Sequence, residues 1–488
     1  MDCVLAIDQG TSATKGILVD AEGRIVAKAA APLGEAYPQP GWVEQDVEAI
    51  WTSVRTAVAQ CLAQRADARV VAVGLSTQRE SALVWERDGA RPLSPLLSWQ
   101  DQRTNALRER IAADGVADLV RERSGLPLDP MFSALKIRWL LDRIDPDRAA
   151  ARAGRLRAGT IDAWLVARLG GDDTIEVGNA SRTQLLDVRR ARWDDELLRL
   201  FGIPAATLPG LAPSLAPRAD ARGLHEALAG VRVHAVMADS HSALFAHGAR
   251  RSGEVKATMG TGSSVMGLAD ARADAHPGLC LTIAWDDGAG PRLALEGNIR
   301  SAGATLRWVA DLLGIDAETA AAEASAADPG GVCLVPAFSG LGAPYWDARA
   351  LGLVSGLTLA SGRPQLLAAA LDSIAHQVAD VLDAMDASVS GVERLLLDGG
   401  PSRNAKLRAT LAGYIGRPVV HCTDAELSAL GVAHLAGIGA GLWDARAVRD
   451  LPRAQHATRV PPQAPDAARA ARVAWSQAVA RARLGFDA

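Results

Sequence analysis

The stretch "AIDQGTSATKGILVD", residues 6–20, runs an apolar strand into a carboxylate, a glycine and a cluster of hydroxyls. Asp, Gly, Thr and Ser are ordinary turn residues, so Asp8 could simply open a turn. The same residues also suit a phosphate cradle. Glycine lets backbone N–H groups approach an anion, and a strand-end carboxylate can position a divalent cation. Two more stretches have this character: Gly260-Thr261-Gly262 joins two strand-like runs, and Asp398-Gly399-Gly400 closes "RLLLDGG". With Lys15, three such turns could hold the phosphates of a nucleotide and its Mg2+. The plain alternative is three unrelated tight turns in a chain with 46 glycines. One further aspartate, Asp239, ends the strand-like "VRVHAVMADS".

The elements that must carry these residues are strands mixed with helices, an α/β pattern. "VLAI", "KGILVD" and "RIVAKAA" read as a strand hairpin series with Gly23 in a turn. "DVEAIWTSVRTAVAQCLAQ" has apolar residues at Val47, Ile50, Trp51, Val54, Val58 and Leu62, which is helical spacing. "ARVVAVGLSTQRESALVWERDG" reads as two strands around a polar corner, and "MFSALKIRWLLDRI" as a helix. Pro204, Pro209, Pro213 and Pro217 exclude a regular helix between them. Beyond that stretch strand–turn units begin again, followed by the long amphipathic "PQLLAAALDSIAHQVADVLDAM" with Pro364 in its first turn. Two similar domains, 1–247 and 248–488, are expected, with residues 464–488 as a surface helix.

Bulk properties narrow the function. The chain has 488 residues, 49% hydrophobic and 22% charged, with a net charge of −4. No basic block calls for nucleic acid or a membrane surface. No run reaches the ~18–20 apolar residues that span a bilayer. The N-terminus lacks the pattern of a signal peptide, so a cytoplasmic protein is expected. Cys3, Cys61, Cys280, Cys333 and Cys422 are far apart and read as buried thiols. GxxxxGK[ST], a strand followed by GxGxxG, HRD with DFG, HExxH and GxSxG are all absent, and the nine histidines form no ligand spacing.

Ten ordered segments resemble one family: "AIDQGTSATK", "YPQPGWVEQD", "STQRESALVWE", "SWQDQRT", "GNASRTQLLD", "MGTGSS", "LEGNIRSAGATLRW", "VPAFSGLGAPYWD", "LDSIAHQVADVLDAM" and "LDGGPSRN". They are similar to the FGGY carbohydrate kinases, and to the glycerol-kinase branch most closely. The resemblance implies two ribonuclease-H-like domains of the actin and sugar-kinase type with an inter-domain cleft. It implies ATP and Mg2+, a small polyol or sugar as partner, and a homodimer or homotetramer. Asp8 would lie near the metal. Gly10, Thr11, Ser12 and Lys15 would form the first phosphate loop, and Gly260, Thr261 and Gly262 the second. Gly303, Gly400 and Asn404 would border the nucleotide. Arg79, Glu80 and Trp99 would line the acceptor site, with Asp239 as catalytic base. Arg79 and Glu80 are adjacent, so both can meet one ligand only if "STQRE" turns.

The acceptor positions depart from glycerol kinases. Met131 stands where a tyrosine is usual, Ser264 replaces a phenylalanine, and Ser240 replaces a glutamine. Thr77 and Lys15 replace an asparagine and an arginine. An aromatic wall of about 150–250 Å² is lost and hydroxyls are gained. A roomier, more polar pocket is therefore expected, with glycerol a poor substrate. The family's glycine-rich regulatory loop has no clear match in "ARGLHEALAGVRV". Two other readings stand beside this one: a xylulokinase-type ketopentose kinase, and a nucleotide-binding sensor without catalysis.

Overall fold

Residues Cys3 to Ile7 are at most 1% exposed, which places their strand in the middle of a sheet covered on both faces. The computed structural model describes every residue except 271–275, 389–390, 424–425, 452–457, 461–464 and 485–488. The central strand, β1 (Asp2–Gln9), pairs antiparallel with β2 (Ala13–Asp20), and β2 pairs antiparallel with β3 (Ile25–Pro32). On its other side β1 runs parallel to β4 (Arg69–Thr77), which runs parallel to β5 (Val233–Ala238). The order is β5-β4-β1-β2-β3.

Side chains alternate between the faces of a strand. Val73 and Leu75 of β4 meet Trp51 and Val54 of the helix Val47–Ala63, whose N-terminus Asp46 caps by accepting from the Glu48 and Ala49 N–H groups. Gly74, between them, faces Val432 in the helix Leu427–Gly439 on the other side. That helix also packs on the short helix Asp239–Ala246 at Gly431, where a Cβ would lie 1.8 Å from the Ser242 carbonyl oxygen.

The polar corner expected after β4 is present. The strand beyond it, Leu83–Glu86, leaves the main sheet and pairs with Leu156–Gly159. Beneath it lies a further core that includes Val84, Leu97, Leu135, Leu140 and Phe201 and seats the helix Ser133–Ile144.

The second half repeats the pattern. Its strands are β6 (Val255–Met259), β7 (Ser263–Leu268), β8 (Cys280–Asp286), β9 (Pro291–Ile299), β10 (Leu395–Gly399), β11 (Val419–His421) and β12 (Thr458–Val460). They lie in the order β8-β9-β7-β6-β10-β11-β12. Within it, β6 pairs antiparallel with β7 and β7 with β9, while β6, β10 and β11 run parallel. Strands β9-β7-β6-β10-β11 thus reproduce β3-β2-β1-β4-β5, the doubling suggested by the strand–turn units.

The chain divides into two compact units, but not by one cut near residue 248. Unit 1 holds Met1–Gly248, Leu281–Leu293 and Glu426–Pro452; unit 2 holds Ala249–Cys280, Ala294–Ala425 and Arg453–Ala488. The tail forms the helix Pro465–Arg483, with residues 464 and 485–488 outside the described residues. It is more than a surface helix. Trp475 is 1% exposed and donates to Asp380, and Val335, Ala337 and Val479 join it in a small core. All five cysteines are free thiols; Cys333 is half-buried and the others are buried. Among the described residues, no helix is long and apolar enough to cross a membrane.

Gly431→Ala is expected to overpack the contact between helices 239–246 and 427–439. It should cost about 1–3 kcal/mol and lower the Tm by several degrees in thermal unfolding; an unchanged Tm would contradict this packing.

Candidate active site

In unit 1 the parallel strands β1, β4 and β5 end at one edge of the sheet, which is where open α/β sheets collect ligand-binding groups. Asp8 lies near the end of β1. Asp239 directly follows β5 as the first residue of its helix. Strand β4 lies between the two, and it and the corner that follows it supply a partner to each. Ser76 Oγ donates to Asp8 Oδ1 at 3.1 Å, and Arg79 Nε lies 3.2 Å from Asp239 Oδ1. Burial, and next the charge of Asp239, push the Asp8 carboxyl up to about 7; Lys15 and the Ser76 hydrogen bond act against them. Lys15, opposite Asp8 in the β1–β2 register, has its Nζ 2.9 Å from Glu426.

The loop after β1 is fixed by amides. Gln45 Nε2 donates to the Thr11 carbonyl at 2.7 Å, Gln78 Nε2 to Gln45 Oε1 at 2.9 Å, and Gln9 Nε2 to the Gly10 carbonyl at 2.8 Å. The Gly10 N–H is turned onto the Ala13 carbonyl, and the Ser12 carbonyl accepts from Leu33. Trp99 Nε1 donates to Thr11 Oγ1 at 3.1 Å, so Trp99 touches the first loop directly. Arg103 stacks between Trp42 and Trp139 and pairs with Asp101 and Glu44, tying "GWVEQD" to "SWQDQR".

The corner after β4 turns as the Arg79–Glu80 pair requires. Glu80 adopts a left-handed backbone with φ of 54°, a conformation that costs a non-glycine residue about 1–3 kcal/mol. Its carboxylate is buried and accepts from Arg182 Nε at 2.7 Å, with Arg79 Nε 3.8 Å away. Arg182 is fully buried and lies over Phe132. The helix Ser133–Ile144 holds the neighbouring segment: Ser133 Oγ donates to the Ser81 carbonyl, and Lys136 Nζ to the Pro130 and Met131 carbonyls at 2.9 and 2.6 Å. Burial pulls the Lys136 ammonium down to about 7, although Asp101, Glu80 and Asp129 favour its charge. Met131 is half-buried in this segment, and Ser240 lies in the first turn after Asp239, its N–H on Asp239 Oδ1.

Unit 2 holds the remaining sequence-predicted residues. Gly260, Thr261, Gly303, Gly400 and Asn404 line one cavity of about 660 Å³. Sequence reasoning missed its other walls, among them Leu306, Arg307, Ala321, Leu371, Ile374 and Arg403. Leu371 and Ile374 could have been found, being one helical step apart in a quoted segment. Asn404 also caps the helix Ala405–Ile415 through the Leu407 N–H. Gly262 is packed close: a Cβ would lie 2.4 Å from the Ile299 carbonyl oxygen. The hydroxyl of Ser264, in β7, donates to buried Glu296 at 2.6 Å, and Asn298 Nδ2 donates to the same oxygen. At the sheet position matching Asp8 and Ser76, unit 2 pairs Thr258 with Asp398, Thr258 Oγ1 donating at 3.1 Å. The carboxylate has moved from the first strand to its parallel neighbour.

Comparison with known proteins decides the family. Residues 3–246 match the N-terminal domain and residues 255–440 the C-terminal domain of the FGGY family of carbohydrate kinases. The chain belongs to that family. An apulose kinase of Pectobacterium atrosepticum is 42% identical over 99% of both chains, and a glycerol kinase of Citrifermentans bemidjiense is 42% identical over 92% of both. Among solved structures, the glycerol kinase of Plasmodium falciparum with ADP superposes with a TM-score of 0.92 at 26% identity, covering 100% of this chain and 99% of that one. A xylulose kinase of Lactobacillus acidophilus shares the fold, with a TM-score of 0.86 at 20% identity over 98% and 97% of the chains.

This FGGY kinase is therefore an ATP-dependent carbohydrate kinase. Unit 1 carries carboxylates and a buried cationic corner, and unit 2 carries glycine turns and a cavity. Gly262→Ala is expected to displace the turn and weaken ADP binding at least ~10-fold, about 1.4 kcal/mol, in calorimetric titration. Unaltered ADP affinity would show that this turn does not contact the nucleotide.

Proposed function

We propose that this kinase transfers the γ-phosphoryl group of ATP to a terminal hydroxyl of a polyol or ketose larger than glycerol. The observation that carries the chemistry is the pair of strand-end carboxylates, with Arg79 on Asp239 and Ser76 on Asp8. In this reading Asp239 accepts the proton of the acceptor hydroxyl while its oxygen bonds to the γ-phosphorus. The bond from that phosphorus to the β-phosphate oxygen breaks, and ADP leaves. Arg79, with its Nε 3.2 Å from Asp239 Oδ1, orients that carboxylate.

Mg2+ fits the same edge. Asp8 is a hard oxygen donor whose ionisation is opposed by burial and then by the charge of Asp239. Asp8 would hold the ion, which neutralises phosphate charge when bound. Gly10 to Ser12, Lys15 and the Gly260–Gly262 turn would cradle the phosphates. The cavity beside Gly303, Gly400 and Asn404 would take the nucleoside.

Acceptor size is read from Met131, Ser240 and Ser264. The apulose kinase, matched over 99% of its length, supports an acceptor other than glycerol. A ketopentose such as xylulose is the second reading, favoured by the same positions and opposed by the glycerol-kinase-like "GAPYWD".

Coupled ADP release across glycerol, erythritol, pentitols, apulose and xylulose tests this. The kcat/KM for at least one four- or five-carbon acceptor should exceed that for glycerol about tenfold or more, roughly 1.4 kcal/mol of preference. Glycerol as the best acceptor would refute the enlarged pocket. Asp239→Asn should lose about 10²–10⁴-fold in kcat while retaining ATP binding; substrate-dependent turnover surviving in it would remove Asp239 from the base role.

A further inference from the structure

Glu80 presents an unusual combination. Its carboxylate is buried, its backbone is left-handed, and one of its oxygens is already taken by Arg182, 102 residues further along the chain. A residue holds such a backbone only where its surroundings over-determine it. Arg182 does so from the buried side, where its guanidinium is fully enclosed and rests on Phe132. On the adjoining segment, Lys136 is equally enclosed and uses its ammonium on two consecutive carbonyls, those of Pro130 and Met131. Neither cation is an exposed surface charge, so each is firmly placed.

We propose that Arg182 and Lys136 are positioning residues for acceptor recognition, Arg182 fixing the Glu80 carboxylate in its turn and Lys136 fixing the main chain that carries Met131. The inference rests on the reading that Glu80 and Met131 face the acceptor. With one Glu80 oxygen bound by Arg182, the other keeps a single direction in which to accept hydroxyls. With both carbonyls bound by Lys136, the Met131 side chain leaves the backbone from a fixed point. Arg182 thus acts through Glu80, and Lys136 through Met131. Neither lies among the residues that would hold the nucleotide.

The test is a double-mutant cycle. Acceptor KM, ATP KM and kcat are measured for the wild type, R182M, E80Q and R182M/E80Q, with R182K and K136M alongside. E80Q and R182M should each raise acceptor KM at least tenfold and leave ATP KM within threefold. The double variant should be no worse than the poorer single variant, because the two residues act in series. R182K keeps a donor for Glu80 and should recover part of the loss. K136M should raise acceptor KM and reduce the discrimination between acceptors of different length. If R182M fails to fold, the double variant, which removes both charges, still provides the comparison with E80Q. Additive effects, an equal rise in ATP KM, or unaltered acceptor KM in R182M and K136M would overturn the inference. If E80Q raises acceptor KM and R182M does not, only the positioning role falls. If E80Q itself leaves acceptor KM unchanged, the acceptor-site reading falls and this inference with it.

Discussion

The separation of two carboxylates by one strand organises unit 1. Asp8 on β1 and Asp239 after β5 end at the same sheet edge because their strands are parallel, and β4 runs between them. Two negative charges at one edge repel, and the Asp8 carboxyl rises to about 7 as a result of burial and that repulsion. Strand β4 supplies a neutral hydroxyl, Ser76, to one, and the corner after it supplies a guanidinium, Arg79, to the other. The two carboxylates therefore have unlike partners, a hydroxyl for Asp8 and a guanidinium for Asp239.

Unit 2 repeats the sheet with the charge redistributed. Asp398 sits on the strand equivalent to β4, facing Thr258 where unit 1 has Asp8. Glycine turns dominate the surrounding loops, and Gly262 packs against the Ile299 carbonyl without room for a side chain. The same topology therefore carries two strand-end carboxylates in one unit and a lined cavity in the other.

Much of this was legible in the sequence. The strand–turn units, the helices 47–63, 133–144 and 363–386, and Asp239 at a strand end all follow from local periodicity and turn chemistry. What escaped was long-range. Segments 281–293 and 426–452 return to unit 1, and nothing in their composition announces it. Arg182 stood inside a quoted segment, yet its role depends on a partner 102 residues away in an unfavourable backbone conformation. The hydrogen bond from the Ser264 hydroxyl to Glu296 crosses between strands β7 and β9, so no local pattern announces it. The Ala/Arg-rich tail hid Trp475, which the fold buries.

The division of labour between the two carboxylates is tested most directly by metal binding, separated from turnover. Mn2+ binding in the presence of ADP, followed by electron paramagnetic resonance, can be compared in the wild type, Asp8→Asn and Asp239→Asn. The account predicts binding weakened about tenfold or more, at least ~1.4 kcal/mol, in Asp8→Asn and nearly unchanged in Asp239→Asn. Equal weakening in both variants, or none in Asp8→Asn, would contradict it.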